Sequence, residues 1–384
     1  MAIPEVAEQT TVRRAAVPAQ RPDCMDILAA QLGSDLAQLF LFVDADADFD
    51  QLVATAGARF EGVEVVACTT AGEITEDGYS EGNIVAVGLP RQHFQTSTLL
   101  VPDLKDFDAT DLTDEVVRQR LALEGRAGDL PNAFAFLVID GMSLREDQLM
   151  GAISSGLAAM PVFGGSAGDG VRFEQPKVAL NGVVHRNAAV ITQVRTDCEV
   201  KVFSLDHFQP GDARMVVTGA EPARRIVCEI NGRPAAREYA RILGKNPDYL
   251  SPFTFAAHPL VVRVGGQHHV RAIQRVTEDG ALVFYSAIGE GIVLTLAKAE
   301  NMADHLDAEL DRLTAGGSLD TVLACDCVLR RIEATQHQQV GRLSQILRKH
   351  NVVGFNTYGE QVGATHVNQT MTGVAFFHPQ DTTE

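Results

Sequence analysis

No stretch of eighteen apolar residues occurs anywhere in the 384 residues, so no segment is expected to cross a bilayer as a helix. Positive charge is in deficit: 32 lysines and arginines stand against 50 aspartates and glutamates, a net charge of −18. That balance disfavours nucleic acid and anionic membranes as partners held through bulk charge. The six cysteines (Cys24, Cys68, Cys198, Cys228, Cys325 and Cys327) are scattered and sit mostly in apolar runs. Such usage suits buried thiols in a reducing cytoplasm better than a disulfide framework. No C-x-x-C-H occurs, which excludes covalent c-type haem, and neither H-E-x-x-H nor zinc-ribbon spacing is present. A P-loop and a strand-following G-x-G-x-x-G are also missing. Residues 1–22 carry Arg13 and Arg14 with no apolar core behind them, unlike a secretory signal. Residues 1–34 and 378–384 are expected to be loose tails.

What is there is a globular composition, 46% hydrophobic and 21% charged, in a chain long enough for about two to three domains. Three stretches repeat one plan: an apolar strand ending in Asp, a helix, and a second apolar strand ending in a small-residue turn and an acid. The first strands end at Asp44, Asp140 and Asp326. The closing turns are VVACTTAGE (65–73), PVFGGSAGD (161–169) and VVGFNTYGE (352–360). Phe49, Leu52, Val53, Ala56 and Phe60 mark one helical face in the first copy, and Leu149, Ile153, Leu157 and Met160 do so in the second. Ser143 and Glu146 have capping-box spacing at the second helix. The third helix carries Ile332, Val340, Leu343, Ile346 and Leu347. Each unit is followed by a further strand, ending with Met371–Phe377 in the third copy. Between the second and third copies a meander is expected over Leu260–Val264, His269–Val276 and Leu282–Ser286, then a helix-like pattern over 292–310. These signals predict an α/β fold of mixed α+β layers, with repeated strand-helix-strand-strand units and domains at 35–222 and 223–377.

The turns are the first candidates for chemistry. Each presents hydroxyls or small residues and closes on Gly–acid: Thr69, Thr70 and Glu73; Ser166 and Asp169; Thr357, Tyr358 and Glu360. Small residues let backbone N–H groups approach a ligand, and the acid can accept a donor. The competing reading is a structural turn whose hydroxyls satisfy local backbone. Gly164–Gly168 formally fits G-x-S-x-G around Ser166, but no helix pattern follows it as a hydrolase elbow requires. Among the eleven histidines, His258 follows an apolar run and His366 precedes the last strand, so either could ligate a noncovalent haem; an ordinary core or surface histidine is the competing reading.

Six ordered segments carry a resemblance: VVACTTAGEI…GYSEGNIVAVGL (65–89), FGGSAGD (163–169), EINGRPAAREYARILG (229–244), HPLVVRVGG…VRAIQRV (258–276), YSAIGEGIVLTLA (285–297) and NVVGFNTYGE…HVNQTMTGVA (351–375). Together they resemble FIST proteins over about residues 35–377. The resemblance implies paired N-terminal and C-terminal FIST domains acting as a sensory input module, not an enzyme. It is similar to stand-alone members such as the NosP-type haemoproteins. That similarity implies b-type haem, nitric oxide as signal, and a histidine kinase or phosphorelay protein as partner, with homo-oligomers possible. A non-haem sensor of a small metabolite such as an amino acid is the alternative, and a hydrolase using Ser166 is a third.

Overall fold

The computed structural model describes residues 10–264 and 266–379. The repeat predicted from sequence is realised as three six-stranded sheets of one design. In each copy the two predicted strands run parallel, with the helical segment as crossover: Leu36–Val43 beside Glu64–Thr69, Asn132–Asp140 beside Val162–Ala167, and Leu319–Cys327 beside Val352–Thr357. The following strand, Asn83–Pro90, Ala189–Thr196 or Met371–Phe377, returns antiparallel on the other side of the first. Beyond it lies an edge strand: Arg13–Pro18, Phe94–Val101 and Val200–Leu205 respectively.

The remaining two strands of each sheet come from another copy. The hairpin Glu73–Ser80 of the first copy pairs with Val352–Thr357 of the third. The hairpin Val178–His185 of the second pairs with Glu64–Thr69 of the first. The hairpin Glu360–Val367 of the third pairs with Val162–Ala167 of the second. The three copies therefore exchange hairpins in a closed cycle. Inward faces of all three sheets form one apolar core. Phe42 of the first copy stacks on Phe355 of the third at 4.3 Å and meets Phe136 of the second edge-on at 6.2 Å, geometries that aromatic quadrupoles favour. Helices cover the outer faces, each with its own smaller apolar cluster.

A fourth, eight-stranded sheet occupies the stretch between the second and third copies. Its principal path runs from Gln267–Arg271 through Leu260–Val264, Val293–Ala299, Phe208–Glu221, Ile226–Ile230 and Leu282–Phe284 to Ile273–Val276. The two end strands are separated only by Ala272, so the sheet curls on itself. It closes round Met215, Val217, Leu260, Val262 and Leu294, with Tyr239 and Phe255 from the short helices Ala235–Leu243 and Pro252–Ala257.

Several expectations need correction. Residues 1–9 of the expected N-terminal tail lie outside the described residues, as do 380–384 of the C-terminal one. The rest of the first tail is structured: Arg13–Pro18 is an edge strand and Cys24–Leu32 a helix. Thr11 and Val12 donate backbone N–H groups to the buried Asp320 carboxylate at 2.6 and 3.0 Å. The boundary at 222/223 falls inside a paired connection, since Phe208–Glu221 and Ile226–Ile230 are antiparallel neighbours across Pro222–Arg224. The 292–310 pattern divides into the strand Val293–Ala299 and the helix Met302–Thr314, whose N-terminus is capped by Asn301. The third crossover is two helices, Val328–Gln336 and Val340–Lys349. Ser143 does not cap the second helix, which begins at Glu146 with no side-chain cap; Glu146 turns inward to Arg225 instead, Nη2 to Oε2 2.5 Å.

Candidate functional site

Because each hairpin crosses to a neighbouring sheet, the three polar turns meet where the copies join. The main chain stitches them together. Ala71 N–H donates to the Asn356 carbonyl at 2.9 Å and Asn356 N–H to that of Gly72 at 2.7 Å. Ser166 N–H donates to Gly359 and Tyr358 N–H to Ser166, while Gly168 N–H donates to Thr69. Gly72 sits at φ +126°, a conformation costly for side chains, and a Cβ there would run into the Arg331 guanidinium.

The hydroxyls and acids are almost wholly buried. Thr70 Oγ1 donates to Glu73 Oε1 at 2.5 Å, and Asn83 N–H donates to Glu73 Oε2 at 3.2 Å. The third turn repeats this: Thr357 Oγ1 donates to Glu360 Oε1, and Thr370 donates its hydroxyl (2.6 Å) and its N–H (3.3 Å) to Glu360 Oε2. No cation faces Glu360 within ion-pair distance among the described residues. Burial pushes its carboxyl up to about 8, against the pull of the Thr357 and Thr370 hydroxyls. Glu73 is pushed up to about 7, chiefly by burial. The second turn breaks the pattern. Ser166 Oγ accepts from Gln361 Nε2 at 2.9 Å. Asp169 accepts from the Tyr358 hydroxyl and from the N–H groups of Glu174 (3.1 Å) and Gln175 (2.7 Å). Thr69 Oγ1 accepts from Lys177 N–H at 2.9 Å.

Only part of this junction reaches the surface. A cleft of about 460 Å³ opens beside the first turn, lined by Thr70, Ala71 and Gly72 and by Asp169 and Gly170 of the second. Asp44, Asp46 and Glu81 add carboxylates; among the described residues Arg172 is the one cation in the lining, paired with Asp46 at 2.5 Å, and Arg331 from outside the lining pairs with Glu81 at 2.9 Å. Ser166, Thr357, Tyr358 and Glu360 are not part of its lining. Ser166 lies within the strand Val162–Ala167, wholly buried, rather than on an exposed strand-to-helix elbow.

His258 and His366 lie on separate elements. His366 is 1% exposed in the hairpin Glu360–Val367, its Nδ1 3.1 Å from Gln361 Nε2. Its carbonyl accepts from Arg271 Nη1 at 3.1 Å, and burial lowers its pKa. A Cβ on Gly359 would stand 2.9 Å from both His366 Nε2 and Asn368 Nδ2, so ring and backbone are in close contact. His258 is half-buried at the C-terminal end of Pro252–Ala257; its carbonyl accepts from Tyr239 Oη at 2.6 Å, and burial lowers its pKa too. Cys325 and Cys327 are wholly buried, and burial raises their thiols, as expected of inert core cysteines.

Sequence reasoning missed the polar residues that frame these turns. Asp326 accepts from Arg330 Nε at 2.7 Å, from Tyr79 Oη at 2.5 Å and from Asn356 Nδ2 at 3.2 Å. His207 bonds both Arg330 and Glu333, at 3.2 and 2.9 Å. Of these, only Asp326, the predicted end of the third copy's first strand, and Asn356, inside the third turn, carried a signal. Asp307, Asp311 and His350 bring ligand atoms within 4.8 Å of one another, but Lys349 Nζ already bonds both carboxylates at 2.8 Å.

Three hairpin-exchanged α/β units, a curled sheet between the second and third of them and an acidic cleft at the unit junction make up the architecture of the described residues. The model of the FIST N domain matches residues 35–233 and that of the FIST C domain matches residues 235–363. The chain belongs to the FIST family, whose domains are signal-transduction sensors. No curated protein matches the chain. None of its helices among the described residues is long and apolar enough to cross a membrane.

Proposed function

We propose that the chain is a sensor that binds a small amino-bearing metabolite in the cleft between the first and second turns and relays its occupancy to a partner protein. The observation that carries this reading is the cleft itself. Thr70, Gly72 and Asp169, equivalent or neighbouring positions of two repeats, border one opening rich in carboxylates. An ammonium group suits such a lining, and the backbone of Gly72, Gly82 and Gly170 allows close approach. The turns also join the copies, so a ligand there bears on contacts between two sheets and can bias a two-state arrangement. A thermal-shift screen of amino acids and polyamines tests this. A stabilising ligand whose effect falls in Glu81→Gln and Thr70→Val supports the reading; no shift across the screen refutes it.

A second reading is a b-type haem sensor of nitric oxide that regulates a histidine kinase. His366 fits poorly, being enclosed by Gln361, Asn368 and Gly359. His258 fits better: it is half-exposed, its lowered pKa keeps the imidazole neutral, and no hydrogen bond to its ring is found among the described residues. Haem, when bound, would supply the iron that coordinates nitric oxide; this chain would supply the neutral imidazole. Protein purified with haem supplied should then show a Soret band that nitric oxide shifts and His258→Ala abolishes. Absence of the band removes this reading and leaves the first untouched.

A further inference from the structure

The curled sheet carries a groove of about 600 Å³ whose charge is opposite to that of the chain. Among the described residues its charged or titratable lining consists of Arg214, Arg263, His268 and Arg271, with no carboxylate. Arg214 and Arg263 are exposed, and their side chains make no ion pair or hydrogen bond among the described residues. Asp212, in the irregular stretch between Pro210 and Arg214, does not line the groove. In a chain of net charge −18, three arginines left without acids along one groove are not the average outcome of composition.

Arg271 makes this more than an exposed basic patch. It is 6% exposed, yet no carboxylate lies within ion-pair distance among the described residues. Nη1 donates to the carbonyls of Val270 (3.3 Å) and His366 (3.1 Å), and Nε is buried with no partner. A guanidinium has five donors in a rigid fork, and burying one without an anion is strongly unfavourable. The charged groups on other elements whose fields reach it, Asp147 and Arg225, act in opposite directions. Beside the cations lie Val262, Val264, Ile292 and Val293; Val264 and Val293 are 47% and 48% exposed.

We propose that this groove binds a small soluble organic anion, a carboxylate or phosphate carried on an apolar body. Arg271 supplies a buried, pre-oriented guanidinium, Arg214 and Arg263 close on the anion from the exposed side, and the valines take the apolar part. The fork geometry favours two parallel N–H···O bonds to one anionic group. The site is independent of the acidic cleft and accepts ligands of the opposite charge.

Isothermal titration of the full chain with phenyl phosphate, benzoate and inorganic phosphate tests the assignment. Saturable 1:1 binding of phenyl phosphate or benzoate, tighter than inorganic phosphate, is expected. Arg214→Gln and Arg263→Gln should each weaken it about tenfold, the scale of one lost charge-assisted hydrogen bond. Arg271→Gln should abolish it, with circular dichroism and melting reporting whether that variant folds. Because the two exposed arginines do not support the core, their variants decide the matter even if the third fails to fold. No saturable binding of any probe overturns the proposal, as does unchanged affinity in the Arg214/Arg263 double variant. Sedimentation with phosphatidylglycerol vesicles without binding of the soluble probes also overturns it, in favour of a lipid headgroup.

Discussion

Replacing Glu360 by glutamine tests whether a neutral acid holds the junction of the three copies. Glu360 is wholly buried among Thr357, Thr370 and backbone, with no cation in ion-pair reach among the described residues, and burial raises its carboxyl from 4.5 to about 8. In the unfolded chain the same group titrates near 4.3. Between those values the native state holds a proton that the unfolded state has lost. Stability must therefore fall as pH rises, by roughly 1.4 kcal/mol per pH unit for this one group. Integrated to pH 8, the penalty is on the order of 5 kcal/mol, comparable with the whole stability of an ordinary domain. Glu73, raised to about 7, adds a smaller loss of the same sign at lower pH. His258, His269, His305, His350 and His366 act oppositely. Burial lowers their pKa values, so their contribution improves as pH rises to about 6.5 and is flat above it. Buried thiols such as Cys68 and Cys325 begin to cost only near the unfolded cysteine value of about 8.5. The window from about pH 6.5 to 8 therefore isolates the carboxylates. Urea unfolding at fixed ionic strength should show wild-type stability declining across that window. Glu360→Gln should be less stable by about 1–2 kcal/mol near pH 5, where an amide replaces a protonated acid imperfectly, and more stable than wild type near pH 8. Parallel curves for the two proteins would refute the reasoning.

Other perturbations address the same architecture. Phe42→Ala removes the ring that stacks on Phe355 and meets Phe136, and should cost about 3–5 kcal/mol by chemical denaturation, with all three sheets melting together. Gly359→Ala places a methyl group against His366 and Asn368 and should lower stability by about 1–3 kcal/mol; a wild-type melting curve would show that the contact is not tight. Arg330→Met leaves Asp326 buried without its cation and should cost about 3–5 kcal/mol, most of it recovered when Asp326→Asn is added.

The sequence made the strands and the repeat legible because each parallel strand is buried on both faces and so reads as a continuous apolar run. Leu36–Val43 and Asn132–Asp140 are of this kind. The edge strand Arg13–Pro18 was hidden because Arg-Arg-Ala-Ala-Val-Pro has little strand preference of its own; pairing with Asn83–Pro90 makes it a strand. Residues 292–310 read as a helix because Val293–Ala299 is only partly buried and its alternation is weak. The turns were visible as polar, small-residue signatures, but not where their side chains go. Thr70 finding Glu73 is local and could be read, whereas Tyr358 finding Asp169, 189 residues away, depends on a hairpin exchange that no periodicity encodes. The arginines of the curled sheet were invisible as a group for a related reason. Arg214, Arg263 and Arg271 share no spacing rule, and only the sheet order brings them to one groove.

The cyclic exchange of hairpins also sets a schedule for biosynthesis. Ile74 leaves the ribosome 280 residues before Gly354, the residue it faces in the finished sheet. At about 5–20 residues per second that interval is roughly 15–55 s. During it the strand Glu73–Thr75 has no sheet to join, and the Glu73 carboxyl can stay hydrated and ionised until the third copy emerges. The third copy is thus the one that seals the first, and burial of both junction glutamates waits until it has been made. A nascent chain arrested before Val352 should expose the first hairpin to protease, whereas a chain that contains the folded third copy should protect it.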